Sequence, residues 1–314
     1  MKIMKALLVV LSVLFLTVIN AQEVKKSQEI QLTNGDFAID GVLQLPDKIK
    51  SPLLIYVPGS GNIDRNGNQP NTFVQASYIQ QLADSLVAKG IAIFRYDKRT
   101  ANTKNKALLS QSICFEDFVS DVKAIISYFR NDERFSSVNL LGHSQGALVA
   151  MLAIDSDISR LICVAGPSEN VEQTLVAQLR KQSPALADKA KEHFQELMDT
   201  GNIAQVHPFL ISIFAPVNLK FLQSYNKYTP VQEIRKLQLP ILIINGTSDL
   251  QVSPADAQKM HTVASDSRLV IIENMTHVLK IANNLYENQQ TYINPKYPIS
   301  TELVKQITDF LTQN

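Results

Sequence analysis

Val138-Asn139-Leu140-Leu141-Gly142-His143-Ser144-Gln145-Gly146-Ala147-Leu148-Val149-Ala150-Met151 decides the fold. Val138–Leu141 reads as a short apolar strand. Ala147–Ile154 is apolar all round, as in a helix buried on every side. Between them stands Gly142-His143-Ser144-Gln145-Gly146, a G-x-S-x-G in strand–turn–helix context. On such a turn the serine is strained and its hydroxyl stands clear of the sheet. The flanking glycines leave room where side chains would collide with neighbouring backbone. A serine that merely caps a helix would not need this order of strand, turn and buried helix.

Working outward, strands alternate with helices. Glu29–Thr33 and Phe37–Leu45 flank Asn34-Gly35-Asp36, the pattern of an antiparallel hairpin. Leu53–Val57, Ile91–Tyr96, Leu161–Ala165 and Ile241–Asn245 are short continuous apolar runs, as in strands buried on both faces. Leu269–Ile272 is the last strand. Helices are predicted over Thr72–Lys89, ending at Gly90, and over Phe115–Phe129, Pro254–Val263 and Thr301–Leu311. Repeated β-α units imply an α/β fold with a mostly parallel sheet and helices on both faces. The alternation breaks over residues 168–239, where no strong strand appears. Val171–Met198 is helical in pattern, and Phe209–Phe221 is apolar but interrupted by Pro216. This reads as a helical cap insertion between core segments 22–167 and 240–314. Its large hydrophobics, Phe209 to Phe214 with Phe221 and Leu222, are expected to cover an apolar pocket above Ser144.

Composition narrows the function. Hydrophobic residues are 45% and charged residues 19%, enough for a sizeable core, which excludes disorder as the main state. The formal charge of +1 lacks the basic excess of a nucleic-acid surface. Two cysteines cannot build a disulfide framework or a Cys-rich zinc site. Cys163 reads as a buried thiol. Lys2 and Lys5, the apolar run Ala6–Ile19 and a small residue at Ala21 form the three parts of a secretory signal peptide, residues 1–21. The run is short of the ~20 residues that span a bilayer. A secreted or periplasmic protein, without stable membrane insertion after cleavage, is therefore expected.

A serine hydroxyl needs a base, usually histidine, oriented by a carboxylate. Behind a strand–turn–helix serine the chain order is Ser, acid, His. Of five histidines, His143 sits inside the turn, and His193 and His207 fall in the insertion. His261 lies mid-helix. His277 follows the last strand and is favoured. The acid belongs just beyond Ile241–Asn245, which points to Asp249. Asp256 competes but falls in the first turn of the next helix. Two backbone N–H donors are needed for a tetrahedral oxyanion. They are assigned to Gln145, after the serine, and to Ser60 in the loop Pro58-Gly59-Ser60-Gly61, with Gly61 second.

With these residues placed, the chain resembles the α/β-hydrolase superfamily over the mature region. Within it the chain is similar to bacterial esterase and acyl-thioesterase-like members close to the serine aminopeptidases. The closer match rests on Pro58-Gly59-Ser60-Gly61-Asn62-Ile63-Asp64-Arg65, on Phe94-Arg95-Tyr96-Asp97-Lys98-Arg99, on the serine turn, on Asn245-Gly246-Thr247-Ser248-Asp249-Leu250-Gln251-Val252 and on Met275-Thr276-His277. Pro58 stands where relatives often have His, and Thr100 where they often have Gly. The resemblance implies Ser144 as nucleophile, Asp249 as acid, His277 as base, a cap, and no metal or organic cofactor. Asp64 and Arg65 are expected to form a local ion pair that fixes the oxyanion loop, with substrate binding by Arg65 as the other reading.

The leading expectation is a secreted hydrolase of small-molecule carboxylic esters. An aminopeptidase or amidase would need carboxylates for a free amino group, with Glu169, Glu172, Glu192, Glu196 and Asp199 available. A coenzyme A thioesterase lacks an evident phosphate site. A non-catalytic binding protein would have no need of all three triad residues.

Overall fold

The architecture follows from strands too apolar to face water on either side. The structure is a computed structural model describing residues 27–109 and 113–313, so the expected signal peptide lies outside the described residues. β1 (Ser27–Asn34) and β2 (Phe37–Gln44) pair antiparallel across the Gly35-Asp36 turn. β3 (Ser51–Val57), α1 (Tyr78–Val87), β4 (Ala92–Tyr96), α2 (Phe115–Phe129), β5 (Phe135–His143), α3 (Gln145–Ala153) and β6 (Ile158–Val164) follow. The insertion carries α4 (Val171–Gln182), α5 (Pro184–Thr200), α6 (Ile211–Phe214), α7 (Pro216–Tyr225) and α8 (Pro230–Ile234). The core resumes with β7 (Ile241–Gly246), α9 (Pro254–Val263), β8 (Ser267–Ile272), α10 (Leu285–Ile293) and α11 (Thr301–Thr312).

The eight strands form one sheet in the order β1-β2-β4-β3-β5-β6-β7-β8, parallel from β4 to β8. Every residue of β3, β4 and β7 is buried. The period-two alternation of strand side chains divides them between two cores. Leu53, Ile55 and Val57 pack with α2, α3 and the insertion, whereas Leu54 and Tyr56 pack with α1 and α11. Cys163, on β6, is a buried free thiol that burial pushes up to about 12. Among the described residues no helix is long and apolar enough to cross a membrane.

Four elements differ from the sequence pattern. The helix expected from Thr72 begins only at Tyr78. Asn71 and Ser77 are left-handed, and the Asn68 side chain accepts the Ser77 N–H at 2.9 Å, so local polar contacts hold this stretch out of the helix. Val171–Met198 is two helices, because the Ser183 side chain caps the Leu186 N–H and Pro184 opens a new helix. Pro216 likewise starts α7 rather than interrupting a helix. α10 is absent from the sequence reading because its apolar residues Leu285 and Tyr286 face solvent and leave no periodic stripe.

Arg99 and Asp121 tie the loop after β4 to α2. Their bonds are 2.6 and 2.7 Å, both side chains are buried, and the guanidinium lies 4.3 Å over the Phe37 ring. Removing one partner strands a buried charge. Asp121→Ala is expected to lower unfolding free energy by about 3–5 kcal/mol, measured by urea denaturation. The double change Arg99→Met, Asp121→Leu should lose much less. Equal losses from the single and double variants would show that the charges are not balancing one another.

Candidate active site

Parallel strands end on one edge, and that edge collects the site. β3, β4, β5, β7 and β8 deliver respectively Gly59-Ser60, Lys98, Ser144, Asp249 and His277. Ser144 sits between β5 and α3 at φ 54°, ψ −124°, a region non-glycine residues seldom enter and one that costs about 1–3 kcal/mol. Its N–H donates to Val164 O (2.9 Å) and its carbonyl accepts from Ala147 N–H (3.0 Å), so backbone bonds on both sides hold the strain. The turn closes only because Gly142 and Gly146 lack side chains. A Cβ on Gly142 would overlap Gly146 O and Ala147 Cα, and one on Gly146 would overlap Val57 O.

His277 follows β8 and is 5% exposed; its Nδ1 lies 2.8 Å from Asp249 Oδ2. A carboxylate only accepts, so Nδ1 carries the proton and Nε2 is left as acceptor. Asp249 Oδ1 takes the N–H groups of Gln251 (2.8 Å) and Val252 (2.9 Å), which fixes the carboxylate plane. His143 has a separate task. Its Nε2 bonds the His277 carbonyl at 2.8 Å, so Nε2 carries the proton, while the Tyr78 hydroxyl lies 3.4 Å from Nδ1. Burial, with the neighbouring His277, lowers His143 to about 3, so it stays neutral and anchors the His277 backbone.

The rival residues are engaged elsewhere. Asp256 accepts from Ser168 N–H and Oγ through one oxygen and from Ser253 N–H and Oγ through the other. Burial raises its pKa, but these bonds outweigh it and the carboxyl is held low. His261 bonds Ser267 Oγ, at the start of β8, at 2.7 Å. The expected Asp64–Arg65 pair does not form. Arg65 instead grips Asp97 through Nε (3.1 Å) and Nη2 (2.7 Å), and Glu29 through Nη1 (2.5 Å). Asp64 accepts the N–H groups of Asn66 and Asn68, each at 2.8 Å, in a tight turn. A carboxylate two or four residues behind those amides satisfies them better than it reaches its neighbour's guanidinium.

Two hollows open at this edge, and Ser144 lines the smaller. A cleft of about 130 Å³ is lined by Gly59, Ser60, Ser144, His277, Gln69, Gln251 and Tyr292, among others. A larger cavity of about 580 Å³ lies under the insertion, lined by Lys98, Phe118, Gln145, Leu175, Ile213, Val217, Phe221 and Tyr225 among others. Ser60 lines both. Of the insertion hydrophobics expected over the pocket, Ile213, Phe221 and Leu222 line the cavity. Phe214 does not: it is fully buried between Phe194 and His193, with ring centroids at 5.0 and 5.3 Å, and belongs to the insertion's own core. Phe209 is 80% exposed. Among the described residues no group of three His, Cys, Asp or Glu is disposed to hold a metal ion.

The roles of Lys98, His143 and Tyr78 escaped the sequence reading. Lys98 is 5% exposed, and its ammonium donates to Gly59 O and Gln145 Oε1, both at 2.7 Å. The Phe118 ring centroid lies 4.3 Å from Nζ. Burial lowers its pKa to about 7. The available signal was the charged triplet Asp97-Lys98-Arg99 directly behind a fully apolar strand.

Comparison with known proteins bears on the family and the fold. A family model of serine aminopeptidases (S33) matches residues 74–205. The esterase EstD of Thermotoga maritima is 25% identical over 258 residues; the match covers 78% of this chain and 59% of EstD, so the chain spans less than two thirds of that relative. Est1E from Butyrivibrio proteoclasticus superposes with a TM-score of 0.55 at 17% identity, covering 91% of this chain and 99% of Est1E. The Pyrococcus furiosus esterase Pf2001 gives 0.57 at 15% identity, covering 91% and 89%. The chain is an α/β-hydrolase superfamily member. In this α/β-hydrolase the cavity wall and the insertion core make different demands. Phe214→Ala is expected to cost about 3–5 kcal/mol in denaturant unfolding and to leave relative rates across an ester chain-length series unaltered. Phe221→Ala should shift that series toward longer acyl chains. A chain-length shift from Phe214→Ala would place Phe214 on the cavity after all.

Proposed function

We propose that this α/β-hydrolase is a serine esterase acting through an acyl-enzyme, with Ser144 as nucleophile, His277 as base and Asp249 as acid. The observation that carries the reading is the 2.8 Å His277–Asp249 bond facing the same cleft as the strained Ser144. His277 Nε2, the acceptor left by that bond, takes the Ser144 proton as Oγ attacks the ester carbonyl. It returns the proton to the leaving alcohol. Asp249 stabilises the imidazolium between the two steps. The N–H groups of Ser60 and Gln145 receive the oxyanion. Gln145 opens α3, so its amide has no partner inside the helix. Water then repeats the attack and releases the acid.

Ester hydrolysis is favoured over aminopeptidase activity by what surrounds the two hollows. No carboxylate from the insertion lines either of them among the described residues. Glu169 pairs with Lys259, Glu192 with Lys189, and Asp199 bonds Gln195. A free substrate amine would find no counter-charge there. A coenzyme A ester would need several cations for its phosphates, and among the described residues Lys98 is the only one lining the cavity. The name of the curated relative, an esterase, points the same way. Residues 1–21 are proposed to direct export and to be removed after Ala21, which N-terminal sequencing of the exported protein would check.

Three substitutions test the triad against p-nitrophenyl esters. Ser144→Ala should abolish turnover and labelling by a fluorophosphonate. Asp249→Asn should lower kcat about 10⁴-fold, and His277→Ala should be comparably severe, with His261→Ala near the parent rate. Asp256→Asn should lower stability by about 0.5–2 kcal/mol through the lost helix cap while sparing kcat. A severe kcat loss from Asp256→Asn with a mild one from Asp249→Asn would reverse the assignment of the acid.

A further inference from the structure

Lys98 is a buried cation whose partners, among the described residues, are two neutral oxygens and one aromatic ring. Among the described residues no carboxylate pairs with it. Removing an ammonium from water without a counter-charge costs free energy that two carbonyl bonds only partly return. Such a group stays in a fold when something there needs it.

Its two oxygens identify the need. One is the carbonyl of Gly59; the other is the side-chain oxygen of Gln145. The Gly59 carbonyl and the Ser60 N–H belong to one trans peptide unit, so they point in opposite directions. Holding the carbonyl from the Lys98 side fixes where the Ser60 N–H is aimed. Gly59 packs directly on the nucleophile: a Cβ built on it would lie 3.0 Å from Ser144 Cβ. The loop therefore has little freedom except rotation of this peptide, and Lys98 removes it. The Gln145 bond ties the same ammonium to the residue carrying the second oxyanion N–H. Topology makes the arrangement available, since β4, β3 and β5 are adjacent in the sheet and end on one edge.

We propose that Lys98 is the positioning residue of the oxyanion site, gripping Gly59 O and Gln145 Oε1 so that the N–H groups of Ser60 and Gln145 converge on the carbonyl oxygen attacked by Ser144. This rests on the esterase reading. The negative charge that Lys98 lacks in the resting protein is the one that develops on the tetrahedral intermediate. The ammonium stabilises that charge through the peptide it polarises, and it does so only in the transition state. That is the kind of interaction that raises kcat and leaves substrate binding alone.

The test compares the parent with Lys98→Met and Gln145→Met, using p-nitrophenyl butyrate as substrate and phenylboronic acid as probe. Boron accepts Ser144 Oγ and becomes a tetrahedral anion, whereas the ester ground state is neutral and planar. Lys98→Met should lower kcat about 100-fold, the loss seen when an oxyanion donor is removed. It should weaken boronate binding by a comparable factor while KM changes by less than about threefold. Gln145→Met, which keeps its own N–H, should lower kcat about tenfold with KM again unchanged, consistent with one lost hydrogen bond to a charged group. A merely structural Lys98 would lower the melting temperature without separating kcat from KM or weakening the boronate. Should Lys98→Met fail to fold, an unaltered kcat in Gln145→Met overturns the proposal. An active parent, labelled at Ser144, with Lys98→Met at parental kcat and boronate affinity, overturns this inference alone. A parent that neither hydrolyses esters nor takes the fluorophosphonate overturns the esterase reading and this inference with it.

Discussion

The contact on which the rest of the site depends is the close approach of α3 to the end of β3. Gly146 lies so near Val57 O that no side chain fits between them, and Gly142 is equally crowded by the first turn of the same helix. A helix held that close to the sheet leaves no ordinary path for the chain leaving β5. Ser144 is pushed to positive φ, and its side chain is lifted out of the strand direction. The strain is held because α3 is apolar on every side and buried between the sheet and the insertion. Burial of a Val, Leu or Met side chain supplies about 1.5–3 kcal/mol each, so a few residues of α3 offset the backbone cost at Ser144. The same close packing sets Gly59 against Ser144 and leaves the loop after β3 almost no choice of position.

The sheet was legible because its strands are uniformly apolar, and uniformly apolar short runs between Gly, Pro and Asn have few other readings. The long amphipathic helix Phe115–Phe129 was legible to the residue, since its buried positions Phe115, Phe118, Val119, Val122, Ile125, Ile126 and Phe129 keep one period throughout. Order along the chain sufficed to bring Ser144, Asp249 and His277 to one edge as candidates, because parallel strands deliver their following loops to the same side. What stayed hidden were interactions decided between loops. Arg65 prefers Asp97, thirty-two residues away, over its neighbour Asp64, since Asp97 offers both oxygens to the guanidinium fork and a third bond to the Arg65 N–H. The start of α1 was misplaced for a related reason: Asn68 satisfies the Ser77 N–H from across the loop, and local propensity carries no trace of that.

The insertion shows the limit of hydrophobicity as a guide to function. Phe214 and Phe221 are seven residues apart and look equivalent in sequence. One turns into the insertion's own core against Phe194, the other toward the cavity against Phe115 and Phe118. Pro216 separates them by restarting the helix, which resets the direction of the apolar face. A pattern read straight across that proline assigns both residues to one surface.

Lys98 and Lys280 together show why a desolvated lysine is not in itself a functional sign. Lys280 is fully buried, its ammonium bonds the carbonyls of Ala76 (2.6 Å) and Asn294 (3.2 Å), and burial lowers its pKa to about 8. Chemically the two lysines are alike: each is a cation held by neutral oxygens. Their difference lies in what those oxygens belong to. Ala76 precedes the left-handed Ser77 that admits the chain to α1, and Asn294 follows α10, so Lys280 clasps two stretches of irregular backbone. Gly59 and Gln145 instead flank Ser144, and Lys98 itself lines a cavity. The same interaction fastens two loops together in one place and, in the role proposed for Lys98, aims two amides in the other. Only the neighbours of the accepting oxygens distinguish the uses.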